Sequence, residues 1–131
     1  MYIKVNIKGK IVDLFEYKPN GIYHVIDNIY ADAYDHLYFY ANGNSVNRYY
    51  SNNQIYRVGD LEVGHYYQDG NLSRVGSHDI SYYINKTMSH LGPHKITYLY
   101  HNPEHILYVG SIEFHRDYYG KLTYIGDNRV C

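Results

Sequence analysis

Apolar residues recur in this chain at a spacing longer than any single strand or helical turn. From residue 55 onward an aliphatic residue stands directly before each of five glycines: Val58-Gly59, Val75-Gly76, Leu91-Gly92, Val109-Gly110 and Ile125-Gly126. The glycines are 17, 16, 18 and 16 residues apart. Four positions before each glycine is another apolar residue, at Ile55, Leu72, Met88, Ile106 and Leu122. A fixed period of this kind decides the fold before any single segment does. It defines tandem repeats over residues 49–126.

Each unit reads as two strands. The first runs through Leu61-Glu62-Val63, Ile80-Ser81-Tyr82, Ile96-Thr97-Tyr98 or Ile112-Glu113-Phe114, all alternating with period two. A turn follows at Gln68-Asp69-Gly70-Asn71, Ile84-Asn85-Lys86-Thr87, His101-Asn102-Pro103-Glu104 and Asp117-Tyr118-Tyr119-Gly120. Gly, Asn and Asp supply the positive φ that tight hairpin turns require. The second strand then runs to the aliphatic-glycine pair, where the chain reverses again. A unit of this length holds two strands of about six residues and two tight turns. One coil of a β-solenoid has a similar length, but the varying period and the mid-unit Asp69-Gly70 turn favour hairpins. The prediction is an all-β fold of tandem β-hairpin repeats in an antiparallel meander, with a β-solenoid as the alternative. Simple alternation places Leu72, Arg74 and Gly76 on one face and Ser73 and Val75 on the other. Both faces then carry apolar groups, so the meander is expected to close as a barrel or fold over as a sandwich.

Weaker copies lie upstream. Gly9-Lys10-Ile11-Val12-Asp13-Leu14 repeats the apolar spacing of Gly120-Lys121-Leu122-Thr123-Tyr124-Ile125, and Asn20-Gly21-Ile22-Tyr23-His24-Val25 fits the same pattern. Leu37-Tyr38-Phe39-Tyr40-Ala41-Asn42-Gly43-Asn44 reads as a rising strand and its turn. Residues 1–48 are therefore diverged repeats, 127–131 a tail, and 1–131 one domain. No helix is predicted; the nearest candidate, residues 28–35, is one or two turns.

Charge narrows the partners. The 131 residues carry 12 basic and 13 acidic side chains. That balance argues against gripping duplex nucleic acid, which needs a positive field, and against an acidic imitation of DNA. The only cysteine, Cys131, leaves no intramolecular disulfide and no need for an oxidising compartment. The alternating start of the chain lacks the apolar run of a signal peptide, and no stretch of about 20 apolar residues is present. A cytoplasmic location away from membranes is expected, or a secreted one where a signal peptide has been removed. An open meander would leave an edge strand through which a homo-oligomer could form.

Tyrosine is the compositional outlier, with 20 residues against 3 Phe and no Trp. Its ring packs on a pleated face while its hydroxyl stays wet. The doublets Tyr66/Tyr67, Tyr82/Tyr83, Tyr98/Tyr100 and Tyr118/Tyr119 recur along the units, so alternate members are expected to form a stripe. Tyr67, Tyr83, Tyr98, Tyr100 and Tyr118 are the candidate ligand-binding residues, suited to a protein, a small molecule or a carbohydrate.

The units Tyr66-Tyr67-Gln68-Asp69-Gly70-Asn71-Leu72 and Asp117-Tyr118-Tyr119-Gly120-Lys121-Leu122 resemble the tyrosine-aspartate hairpin repeats of bacterial wall-associated and toxin-shell proteins. They are also similar to the tyrosine-glycine hairpin repeats of short bacterial proteins. The resemblance covers about residues 49–126, although Asn85-Lys86-Thr87 and Asn102-Pro103-Glu104 lack the glycine. It implies a shell or a binding surface and carries over no catalytic residue.

Nine histidines are many for this length. His94, His101 and His105 flank one predicted strand and turn, and neutral imidazoles ligate zinc or copper. No short metal-binding spacing and no cysteine pair accompanies them. Glu113 and His115 share a strand face and would serve as a base and its partner. The sequence points first to a non-catalytic binding protein, of which a phage-type inhibitor of a host factor is one form, needing no cofactor. Alternatives are a carbohydrate- or surface-binding structural repeat protein and a small metal-dependent enzyme using the His90–His115 region with zinc.

Overall fold

The computed structural model describes residues 1–130; Cys131 lies outside the described residues. Sixteen strands and no helix are present among them. The first five are β1 (Tyr2–Val5), β2 (Ile11–Phe15), β3 (Tyr23–Ile26), β4 (Ile29–Ala31) and β5 (Leu37–Tyr40). The repeat region supplies β6 (Val46–Arg48), β7 (Ile55–Val58), β8 (Leu61–His65), β9 (Leu72–Val75), β10 (His78–Tyr82) and β11 (Met88–Leu91). It continues through β12 (His94–Leu99), β13 (Asn102–Val109), β14 (Ile112–Arg116), β15 (Leu122–Ile125) and β16 (Asn128–Arg129). The segment 28–35 is therefore strand β4 and a turn, with Asp32 Oδ1 accepting from the amides of Tyr34 and His36.

Strands β6 to β16 form one eleven-stranded antiparallel meander in chain order. The array begins at Val46, a little before the sequence-defined boundary, and residues 128–129 of the expected tail are its last strand. It is not closed into a barrel: β6 and β16 remain its two edges. Strands β1 to β5 form a separate antiparallel sheet in the order β2-β1-β5-β4-β3. Ile3, Val5, Ile29, Leu37 and Phe39 of that sheet share a single core with Val58, Leu72, Val75, Leu91, Ile96, Val109 and Ile125 of the array.

One irregularity recurs through the array and corrects the expectation of two apolar faces. Opposite β8, the partners are Val63↔Val75, Gly64↔Arg74 and His65↔Leu72, so Ser73 is skipped. The same bulge skips Tyr56, Ser89, Leu107 and Thr123 in the other hairpins. A bulge adds one residue and strong local twist, which brings both apolar positions of the unit to the same side. Leu72 and Val75 are each fully buried while Arg74 between them is exposed. Strand β8 also changes partner midway, pairing with β7 through Leu61 and Glu62 and with β9 from Val63 on. Strands β10, β12 and β14 do the same.

The glycine that ends each unit is the first of two turn residues, with φ between 54° and 61°. From Gly76 onward it also receives the side chain that follows the previous turn. A Cβ on Gly76 would meet Leu61, on Gly92 His78, on Gly110 His94 and on Gly126 Ile112.

Candidate functional site

The array presents two edges, one of mid-unit turns and one of glycine turns. At the mid-unit edge a single ladder position carries His65, Tyr82, Tyr98 and Arg116. Each reaches back to the carbonyl of the first core residue in the preceding hairpin. Tyr82 and Tyr98 donate their hydroxyls to Leu72 O (2.6 Å) and Met88 O (2.8 Å). Arg116 Nη2 donates to Ile106 O (3.1 Å), and His65 Nε2 lies 2.8 Å from Ile55 O. The bulge disrupts the ladder at these carbonyls, and a buried carbonyl needs a donor. Burial pushes the Tyr82 and Tyr98 phenols far above their ordinary range. A second tier runs forward: Tyr66 donates to Ile80 O (2.9 Å) and Tyr83 to Ile96 O (2.6 Å). The rings of Tyr66 and Tyr82, and of Tyr83 and Tyr98, meet edge to face.

The five stripe candidates therefore fall into two groups. Tyr83 and Tyr98 are mortar between hairpins. Tyr67, Tyr100 and Tyr118 stand at turn tips, and counting from the strand exit puts Tyr50 and Ile84 at the same position in the other two units. All five tips are exposed, by 95 to 107 %. The doublets are thus offset: Tyr66 corresponds to Tyr83, and Tyr67 to Ile84. Beneath the tips the turns are braced by Asx bonds, with Asp69, Asn85 and Asp117 accepting from backbone amides two residues on. Tyr50 and Ile84 were not legible because the doublets, and not the strand exits, served as the register.

The small sheet is clasped to the array at both edges. At the mid-unit edge Leu72 N donates to Gly9 O and Met88 N to Ile7 O, each at 2.8 to 2.9 Å. There too, Asp35 Oδ1 accepts from Ile106 N (2.9 Å) and Arg116 Nη2 (2.6 Å), while its Oδ2 lies 2.8 Å from His105 Nδ1. At the glycine-turn edge, Asp27 Oδ2 lies 2.7 Å from His94 Nε2 and 3.4 Å from His78 Nε2. The hydrogen bond with His94, then that with His78, holds the Asp27 carboxyl below its usual range. His94 and His105 thus face different aspartates at opposite ends of the β12–β13 hairpin, and His101 is an exposed turn residue. Glu113 and His115 stand 3.7 Å apart, each a little under half exposed.

A cleft of about 450 Å³ lies between β2 and the start of the array, lined by Ile11, Val12, Arg48, Ile55 and His65. Two of its polar side chains are engaged by backbone carbonyls, Arg48 by Asn53 O and His65 by Gly70 O and Ile55 O. No helix long and apolar enough to cross a membrane is present among the described residues. Comparison with family models, with curated proteins and with solved structures finds no match for this chain.

Proposed function

We propose that this is a non-catalytic binding protein that holds a protein partner against the row Tyr50, Tyr67, Ile84, Tyr100 and Tyr118. The observation that carries the reading is the repetition of one large, fully exposed side chain at one position in five successive hairpins. None of these side chains is needed by the core. Neighbouring tips are two strands apart, about 10 Å, so the row extends over roughly 40 Å and outreaches any small molecule. Tyrosine at such sites offers a wide, rigid, amphipathic contact at low entropic cost, as binding loops of antibodies do. The near-zero net charge leaves contact area, not a long-range field, to supply the affinity.

The test uses the full chain as immobilised bait in lysate of the source cell, beside a Tyr67→Ser/Tyr100→Ser variant and a Tyr17→Ser control. The expected outcome is a defined protein retained by wild type and control and lost by the tip variant, with far-UV spectrum and thermal midpoint unchanged. Equal retention by the tip variant would overturn the reading. So would wild-type chain that retains no protein and is itself held on a polysaccharide column until free sugar releases it.

A further inference from the structure

The glycine-turn edge, opposite the tyrosine tips, departs from the repeat's own pattern at three positions, and the three converge on one point. The residue two places after each turn glycine packs on the next unit's glycine. It is aliphatic at Leu61 and Ile112 but imidazole at His78 and His94. In the small sheet the matching two-residue turn between Ile26 and Ile29 has positive φ at Asp27, where the array uses glycine. Asp27 is the residue that meets both imidazoles. The fold accounts for them only in part: the Asp27–His94 contact helps clasp the small sheet, and the His78 ring lies 6.2 Å from that of Phe39. His78 occupies an aliphatic slot, is 6 % exposed, and its Nδ1 is buried with no hydrogen-bond partner. Leaving a buried polar atom unsatisfied costs stability, and that cost has to be offset by what the ring does at Nε2.

We infer that Asp27, His78 and His94 form a site for a divalent transition-metal ion of the zinc type, with both Nε2 atoms and an Asp27 oxygen as ligands. The three ligand atoms lie within 4.8 Å of one another. Tetrahedral zinc with bonds of about 2.0 to 2.2 Å keeps its ligands roughly 3.3 Å apart. The His78–Asp27 separation of 3.4 Å already matches, and His94 at 2.7 Å would move back by about 0.6 Å to reach that spacing. Each ring lies over a turn glycine, where the missing Cβ leaves space for an imidazole, His94 Nδ1 lying 3.3 Å from where a Gly110 Cβ would be. His78 is buried and His94 partly so, while Asp27 is 54 % exposed, so a solvent molecule has access to the fourth position. Two nitrogens and one carboxylate oxygen suit zinc, copper or nickel better than calcium or magnesium, which take oxygen ligands.

A thermal scan of the full chain in EDTA and then in excess zinc chloride tests this. An ion that binds only the folded state raises the midpoint by mass action. The expected result is a rise reversed by EDTA, together with the visible absorption band of tetrahedral cobalt when cobalt replaces zinc. The double variant His78→Leu/His94→Ile restores the side chains the array itself uses at this position. It should fold without metal and lose both responses. No zinc response and no cobalt band in wild type would overturn the site. Responses that survive in the double variant would also overturn it, since the ion would then sit on other histidines such as His101. Should that variant fail to fold, Asp27→Asn carries the same expectation, with the same two overturning outcomes.

Discussion

At the residue scale, tyrosine does two jobs in this chain that composition alone cannot separate. Tyr82 and Tyr98 are donors to carbonyls at bulges, whereas Tyr67 touches little beyond solvent. Removing one hydroxyl from the first pair leaves a buried carbonyl unpaired, a loss of about 1–3 kcal/mol. Tyr98→Phe and Tyr82→Phe should each lower the urea midpoint by that order, while Tyr67→Phe should stay within about 0.5 kcal/mol of wild type. Equal, negligible effects at all three would mean that the bulge carbonyls need no donor. The abundance of tyrosine was plain in the sequence, but its division was not. Tyr82 and Tyr83 are neighbours with different partners, one reaching to the hairpin before and one to the hairpin after, and only the position of the bulge decides which.

At the element scale, the hairpins, their turns and the glycine positions were legible, because each depends on residues within one unit. Two features were not. The bulge that skips Ser73 turns a period-two pattern into two buried residues three apart, so simple alternation placed Leu72 and Val75 on opposite faces. The docking of the small sheet rests on contacts between residues far apart in sequence, which no local pattern announces. Asp35 is the clearest case. It is a turn residue with φ of 64°, and its carboxylate anchors the Ile106 amide and the Arg116 guanidinium. Both ion-pair side chains are about nine-tenths buried or more. Removing one partner of such a pair leaves an uncompensated buried charge, which costs about 3–5 kcal/mol. Asp35→Ala should therefore destabilise the chain by that order in chemical denaturation. Asp79→Ala, which removes the exposed partner of Arg74, should change stability by less than about 1 kcal/mol. The register of histidines at 78 and 94 relative to the turn glycines was present in the sequence. Their meeting with Asp27 required the small sheet to be placed.

At the scale of the whole molecule, the two sheets share one core, and each carries phenols whose burial makes stability depend on pH. Tyr38, in the small sheet, donates to the Asp32 carboxylate at 2.8 Å, and burial followed by that carboxylate raises its phenol far above the ordinary value. Tyr82 and Tyr98 in the array are raised chiefly by burial. A phenol whose folded-state pKa lies above its unfolded value of about 10 keeps its proton in the fold after the unfolded chain has released it. The stabilisation is complete below that pH and declines as pH rises past it, since the unfolded state then binds fewer protons. Raising the pH from 9 toward 12 should lower the thermal midpoint progressively. Phenolate absorbance should then rise in two stages. The raised phenols of Tyr38, Tyr82 and Tyr98 belong to the later stage, which sets in only as the near-UV circular dichroism collapses. Tyr38→Phe should remove part of the second stage and leave the first unchanged. A single smooth titration with the near-UV signal preserved would mean that solvent reaches these phenols, and with it the seam where Tyr82 and Tyr98 bind one hairpin to the next.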